Sequence, residues 1–286
     1  MKILITGSKG YIARSFANYY KGESHLISLR DDSWRDISFA GYDAVLHTAG
    51  LVHMQETKRN QYDYYIVNRD LTLETANKAK KEGVRQFIFL SSISVYGITT
   101  GAITADTPTI PATHYGRSKL AAESMLAALA DDIFSVAVLR PPLVYGPNCP
   151  GNFASLCRLV KKMPVFPDFE NFRSMVYIEN LCAYIQAVIE MEQGGLFFPR
   201  DPSPIGTTEM ALAIAKAQGK TLRLTRAFNG IINCLISHAG TAPKISKLFG
   251  SLVLDPSLPE IKNIDLVAFP DSVVKSVVND ENASFP

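Results

Sequence analysis

The sequence predicts an α/β protein: a doubly wound parallel sheet with a small C-terminal lobe. Three observations predict it. The first sixteen residues read as a buried strand, a glycine turn and the start of a helix. Strand and helix signals then alternate through the first half, the pattern of a parallel sheet covered by helices on both faces. The chain has 286 residues, 47% hydrophobic and 20% charged, which is enough apolar chain for a sizeable core.

Residues 2–6 form the first strand. Ile3, Leu4 and Ile5 make the continuous apolar run of a strand buried on both faces. Gly7, Gly10 and Ala13 follow at three-residue spacing. Gly7 permits a tight turn, Gly10 lets backbone approach a pyrophosphate, and Ala13 lets a helix over 10–20 pack on the strand. The start of that helix offers N–H groups and a positive dipole end to phosphate. The turn therefore predicts a dinucleotide site and a Rossmann-type sheet. Further strands are expected at 25–30 and 44–47, and a helix over 63–82 stops at Gly83. A strand at 86–91, a helix over 115–130 and a strand at 135–140 follow, the last halted by Pro141 and Pro142. After Pro147 prolines cluster and the segments shorten, with strands expected at 175–178 and 196–198. We read 1–147 as a dinucleotide-binding domain and 148–286 mainly as a substrate-binding lobe. Residues 174–191 return a strand and a helix to the main sheet. The tail beyond Asn279 reads as frayed.

The totals exclude several classes. A formal net charge of +2 argues for neither nucleic acid nor a membrane surface as partner. The nearest approach to a membrane span, 133–146, contains Arg140 and two prolines. Cys149, Cys157, Cys182 and Cys234 form no close pair, which suits reduced thiols in a cytoplasmic protein. The N-terminus enters a strand directly, so no signal peptide is expected. His53 and His114 have no partners at ligand spacing, so no metal site is expected.

Tyr115 and Lys119 stand four apart in HYGRSKLAAESMLAAL, which puts them on one helix face. A phenol titrates near ~10, and an ammonium beside it favours the phenolate. Such a pair can take a proton from a hydroxyl as hydride leaves the same carbon. The same spacing also occurs on ordinary amphipathic helices. Ser91 and Ser92 end the strand at 86–91, at the carboxyl edge where ligands of such sheets lie. They equally suit the start of a loop.

Together these residues resemble the extended short-chain dehydrogenases/reductases, in the NAD(P)-dependent nucleotide-sugar epimerase/dehydratase group. TGSKGYIA is similar to the family's TGxxGxxG turn, with Ala13 in the last glycine's place. HTAG, at 47–50, resembles its HxAA segment, and Val67-Asn68 its helix asparagine. LSSISVYG (90–97) resembles SSxxVYG, and YGRSK (115–119) resembles YxxxK. LRPPLVYGP (139–147) and RSMVYIENL (173–181) resemble LRxxNVYGP and RDFVYVDDV. The resemblance spans about 2–189. It implies a catalytic set of Ser92, Tyr115 and Lys119, with the lysine lowering the phenol's pKa and holding the nicotinamide ribose. It implies a cofactor shell of Gly7, Lys9, Gly10, Tyr11, Ile12, Arg30, Asp31, His47, Ala49, Asn68, Tyr115, Lys119 and Pro142. Ser92, Asn152, Phe166 and Arg173 would contact the substrate. Arg173 would meet its diphosphate, Asn152 would meet it too or cap a helix, and Phe166 would cover the base or fill core. His47 would lie under the adenosine or pack locally. A homodimer is the family expectation.

Departures from the family pattern carry information. Ser92-Ile93-Ser94 stands where the dehydratases carry Thr-Asp-Glu, so water elimination is not expected. Leu143 replaces an asparagine of the usual nucleotide-sugar contact. Arg30 ends the strand at 25–30, where NAD binders carry an acid, and strand alternation would set Asp31 on the opposite face. Lys9 with Arg30 suits a 2′-phosphate and tips the choice between NAD and NADP toward NADP. Alternatively both are solvated charges and Asp31 serves the ribose. The expected reaction is hydride transfer at C4 of a nucleoside-diphosphate sugar, by a 4-epimerase or by an NADPH-dependent reductase of a 4-keto-6-deoxy sugar. The rival from another class is a non-catalytic dinucleotide-binding sensor.

Overall fold

The structure is a computed structural model that describes residues 1–52, 54, 56–237 and 243–278. The first half runs β1 (Lys2–Thr6), α1 (Tyr11–Tyr19), β2 (Glu23–Ile27), β3 (Ala44–His47), α2 (Asp63–Tyr65), α3 (Leu71–Lys81), β4 (Gln86–Leu90), β5 (Gly101–Ile103), α4 (His114–Leu129), β6 (Ser135–Leu139) and β7 (Leu143–Tyr145). The second half runs α5 (Asn152–Lys162), β8 (Val165–Pro167), β9 (Met175–Tyr177), α6 (Ile178–Met191), β10 (Gly195–Phe197), α7 (Thr207–Ala217), β11 (Arg223–Thr225), α8 (Asn229–Ser237), α9 (Pro243–Phe249), β12 (Leu252–Leu254) and α10 (Asp271–Val278).

Six of these strands form one parallel sheet in the order β2-β1-β3-β4-β6-β10. The chain leaves β1 for β2 on one side, then crosses back to place β3 on the other. That reversal opens a crevice at the carboxyl ends of β1 and β3. Both faces of the sheet are covered, which is why its strands read as unbroken apolar runs. Ile3, Ile5, Leu46 and Ile88 point into a core shared with α1 and α6. Leu4, Val45, Phe87 and Phe89 point the other way, into a core with Ala76 and Ala79 of α3 and Ala122 and Leu126 of α4.

Three elements depart from the sequence reading. The helix expected over 63–82 is continuous but contains a π turn at Ile66–Asp70, a distortion that recurs at functional sites. Strand β2 ends at Ile27, whose carbonyl accepts the Gly7 and Ser8 N–H groups at 3.0 and 3.1 Å. Arg30 and Asp31 therefore lie in the loop beyond the strand, and alternation does not set their directions. The strand expected to return at 175–178 pairs with β7 instead. Its helix α6 does pack on α1, and the strand that joins the sheet is β10, beside β6. The lobe is also tied back to the first half, since β12 pairs with β5.

No helix among the described residues is long and apolar enough to cross a membrane. The tail beyond 279 and His53 lie outside the described residues.

Candidate active site

The crevice begins at the glycine turn. Gly7 has φ +85°, and a Cβ there would sit 3.0 Å from the backbone of Ala49, at the end of β3. Only glycine lets the loops after β1 and β3 approach this closely. Gly10 takes the N-cap position of α1 without a capping side chain, so the first-turn N–H groups remain for an anion. Tyr11 and Ile12 open that helix, half-buried against the core. Gly146, in the loop after β7, closes on the same turn: a Cβ there would lie 2.6 Å from the Tyr11 hydroxyl. These cradles, which a single methyl group would fill, fit the diphosphate of a dinucleotide.

Beside the turn, a cleft of about 300 Å³ is lined by Leu29, Arg30, Asp31, Trp34, Val67 and Leu71, among others. Arg30 and Lys9 are exposed and, among the described residues, form no ion pair. The Asp31 carboxylate is committed elsewhere. It accepts the Ser33 N–H at 3.1 Å and the Ser33 hydroxyl, capping the short helical turn Asp32–Asp36. Those bonds hold its carboxyl below the usual carboxylate range.

Ser92, Tyr115 and Lys119 come together at the carboxyl ends of β3 and β4. Ser92 caps the turn Ile93–Tyr96, accepting the Ser94 N–H at 3.1 Å, and its hydroxyl donates to the Ser94 hydroxyl at 3.1 Å. Tyr115 stands at the start of α4. The Thr113 hydroxyl accepts the Gly116 N–H at 3.1 Å, and the Glu56 carboxylate accepts the His114 and Tyr115 N–H groups at 3.1 and 2.9 Å. One turn on, Lys119 is buried and its Nζ donates to the Leu90 carbonyl at 2.9 Å. The Phe89 ring centroid lies 4.6 Å from that Nζ.

The electrostatics correct one expectation. Burial pushes the Tyr115 phenol up to about 12, with Tyr64 adding to it and Ser92 pulling it back. Burial draws Lys119 down to about 7, with Glu123 opposing. The lysine therefore does not make the phenol acidic in this structure. Desolvation penalises both charged forms, and the ammonium is held on Leu90.

Asn68 sits on the π turn, fully buried. Its amide oxygen accepts the Leu51 N–H at 2.7 Å, and its Nδ2 donates to the Leu51 carbonyl at 3.2 Å and to Ser118 at 3.1 Å. The π turn delivers this side chain between the loop after β3 and helix α4. Gly50 has to be small here, because a Cβ would lie 3.0 Å from the Asn68 Oδ1 and 3.3 Å from the Lys119 Nζ.

The sequence matches the "NAD dependent epimerase/dehydratase family" over residues 3–197. The chain belongs to that family. It is 36% identical over 187 residues to a UDP-glucose 4-epimerase of Vibrio cholerae, covering 62% of this chain and 57% of that relative. This chain thus spans less than two thirds of that relative's length. Among solved structures, a UDP-glucuronic acid 4-epimerase of Bacillus cereus in complex with NAD superposes with TM-score 0.75 at 19% identity, over 99% of this chain and 97% of that one. A dTDP-4-dehydrorhamnose reductase of Bacillus anthracis in complex with NADP superposes with TM-score 0.64 at 17% identity, over 80% and 86%. At such identities the likeness is one of fold, a Rossmann-like α/β sheet.

The other residues proposed from the family motifs differ in what surrounds them. His47 is fully enclosed, with its ring nitrogens 3.0 Å from the Thr6 and Thr72 hydroxyls and Phe87 stacked against it. It packs locally. Burial draws its pKa down to about 3, so it is neutral. Phe166 is 1% exposed and packs on Phe249, so it fills core and covers no base. Pro142 is buried between β6 and β7. Asn152 is exposed at the first position of α5, where Gly151 takes the cap position, so its helix-cap reading does not hold. Arg173 donates to the Gly250 carbonyl, while its Nε is buried without a partner.

Sequence reasoning passed over a second layer beneath the site. Glu123 lies four residues after Lys119 on the same face of α4, buried, and pairs with Arg140 at the end of β6. A charge at the mouth of an apolar strand and a carboxylate on a buried helix face were the available signals. Glu56 gave none, because its cap on α4 depends on where the loop after β3 folds.

Proposed function

We propose that this chain transfers hydride at C4 of a nucleoside-diphosphate sugar, acting as an NAD(P)-dependent 4-epimerase. The observation that carries this is the convergence of three side-chain positions at the carboxyl edge beside the glycine turn: Ser92 just after β4, Lys119 with its Nζ on the Leu90 carbonyl that ends β4, and Tyr115 one helical turn before Lys119. A dinucleotide held by the Gly7–Gly10 turn, with Lys119 at its ribose, would supply the acceptor and donor of the hydride. The chain's own part is the proton. As the phenolate, Tyr115 Oη would take it from the C4 hydroxyl, and the phenol so formed would return it to the C4 oxygen of the keto sugar, with Ser92 placed to bond that oxygen. With burial pushing its phenol up to about 12, the free protein starts in the protonated form, which suits the proton-giving step; the proton-taking step requires that this proton first be lost to solvent. Asn68 locks the loop after β3 through both polar groups of Leu51. Arg173, with its Nη1 on the Gly250 carbonyl and its buried Nε without a partner, would meet a diphosphate oxygen of the substrate.

One observation favours a second reading, reduction of a 4-keto sugar by NADPH. Among the described residues Arg30 and Lys9 form no ion pair while Asp31 is spent on Ser33, an arrangement suited to a 2′-phosphate rather than a free ribose. Replacing Arg30 with Asp should weaken NADPH binding roughly tenfold or more while leaving or improving NADH binding, read by fluorescence titration. An equal loss for both dinucleotides would remove the phosphate assignment.

The deciding experiment gives the purified chain UDP-glucose and UDP-galactose, then a nucleotide 4-keto-6-deoxy sugar with NADPH. Interconversion without net change in cofactor absorbance supports the epimerase. NADPH consumption only with the keto sugar supports the reductase. Dinucleotide binding with neither reaction on any nucleotide sugar overturns both and leaves the sensor.

A further inference from the structure

We propose that Glu123 and Arg140 are positioning residues for the Ser92–Tyr115–Lys119 site, acting with opposite electrostatic sign on the Lys119 ammonium. The proposal rests on the hydride-transfer reading only for its effect on turnover. The field on the lysine is measurable without substrate.

The geometry is a closed chain of bonds. Arg140 Nε and Nη2 donate to the two Glu123 oxygens at 3.1 and 2.5 Å. The Ser91 hydroxyl donates to the same carboxylate, and Arg140 Nη1 donates to the Tyr96 hydroxyl at 2.8 Å. Glu123, Arg140, Ser91 and Tyr96 are 7%, 8%, 3% and 4% exposed, so the network is sealed from water. It grips the segment after β4 at both ends, at Ser91 and at Tyr96. Between those grips lies Ser92, and just before them the Leu90 carbonyl that holds Lys119. Helix α4 supplies Tyr115, Lys119 and Glu123 from successive turns. A shift of Glu123 therefore moves the hydroxyl, the carbonyl and the ammonium relative to one another.

Two buried charges contribute little net stability, because desolvation offsets most of their attraction. Their effect on a neighbouring buried charge is larger. The groups around Lys119 are Glu123 from α4, the Leu90 carbonyl and Phe89 ring from β4, His47 from β3 and Asn68 from the π turn, with Tyr115 one helical turn before it. His47 is neutral, with its pKa drawn down to about 3, and Tyr115 is protonated. Glu123 is thus the anion among them, and it opposes the burial that draws the ammonium down to about 7. Arg140, bound to that anion, cancels part of its field.

The two partners of this ion pair should act in opposite directions. Glu123→Gln leaves Arg140 uncompensated and should lower the Lys119 titration by about one pH unit, whereas Arg140→Gln frees the carboxylate and should raise it by a similar amount. The titration is read in the full cofactor-free chain by NMR of lysine side chains labelled with nitrogen-15, assigned with Lys119→Met. A purely structural pair would move both variants the same way or neither, and either result overturns the proposal. Should the single variants fail to fold, the apolar pair E123L/R140M removes both charges together. Its Lys119 titration should fall less than expected for Glu123→Gln, and an unchanged value overturns the proposal. On turnover, Glu123→Gln should move the alkaline fall of kcat to lower pH with KM for the sugar held. A wild-type chain without turnover would sink the hydride-transfer reading while the NMR titration still decides this one.

Discussion

Replacing Tyr115 with Phe should lower turnover about 10³-fold, close to 4 kcal/mol of barrier, while dinucleotide affinity stays within a factor of two or so. The ring remains packed edge-on against Tyr64, at 6.4 Å between centroids, so the fold is kept. Only the phenolic hydroxyl is removed. Phenylalanine has no proton to give to the C4 oxygen and no means of taking one. The measurement is kcat beside a binding titration on the same preparation. A loss of only a few-fold would mean that another group handles the proton, and the reading of the site would have to be abandoned.

Replacing Gly97 with Ala should destabilise the chain by about 3 kcal/mol, the sum of a left-handed backbone penalty and an overpacking cost. Gly97 ends the turn that begins at Ser92, with φ +71°. A Cβ there would lie 2.0 Å from the Ile110 carbonyl oxygen and 3.0 Å from the Ala112 nitrogen, so rigid backbone blocks it. The clash sits where the loop after β4 crosses the segment that leads into α4. Relief of it would pull Ser92 away from Tyr115. Urea unfolding should show a lower midpoint with an unchanged slope, together with reduced turnover. Gly41 is the control: φ is +81° but nothing lies within 4 Å of its added Cβ. Gly41→Ala should cost only about 1 kcal/mol. Equal losses at the two glycines would remove the steric argument.

Most of the sheet was legible in the chain. Runs such as QFIFL and SVAVL are short, apolar and bounded, and both are strands of the parallel sheet. The glycine turn was legible because its chemistry is local: one residue with positive φ, one close approach, one helix start. Tyr115 and Lys119 were legible because helical geometry fixes a four-residue spacing wherever the helix lies. Their charge states were not. In the chain without cofactor, burial of both groups pushes the phenol up and the lysine down, because desolvation depends on what the fold packs over them.

The sequence by itself determined the order of elements, the place of the dinucleotide turn and the face that carries Tyr115 and Lys119. Each of these depends on backbone conformations set within a few neighbouring residues. Tertiary structure decided that Asn68 reaches Leu51 from a π turn, that Asp31 is spent on Ser33, and that Phe166 and His47 are walled in. It also decided that β10 rather than β9 completes the sheet, and that Glu123 meets Arg140 beneath the site. Most of these outcomes are contacts between distant stretches of chain, and burial and partner choice there follow from how whole layers pack.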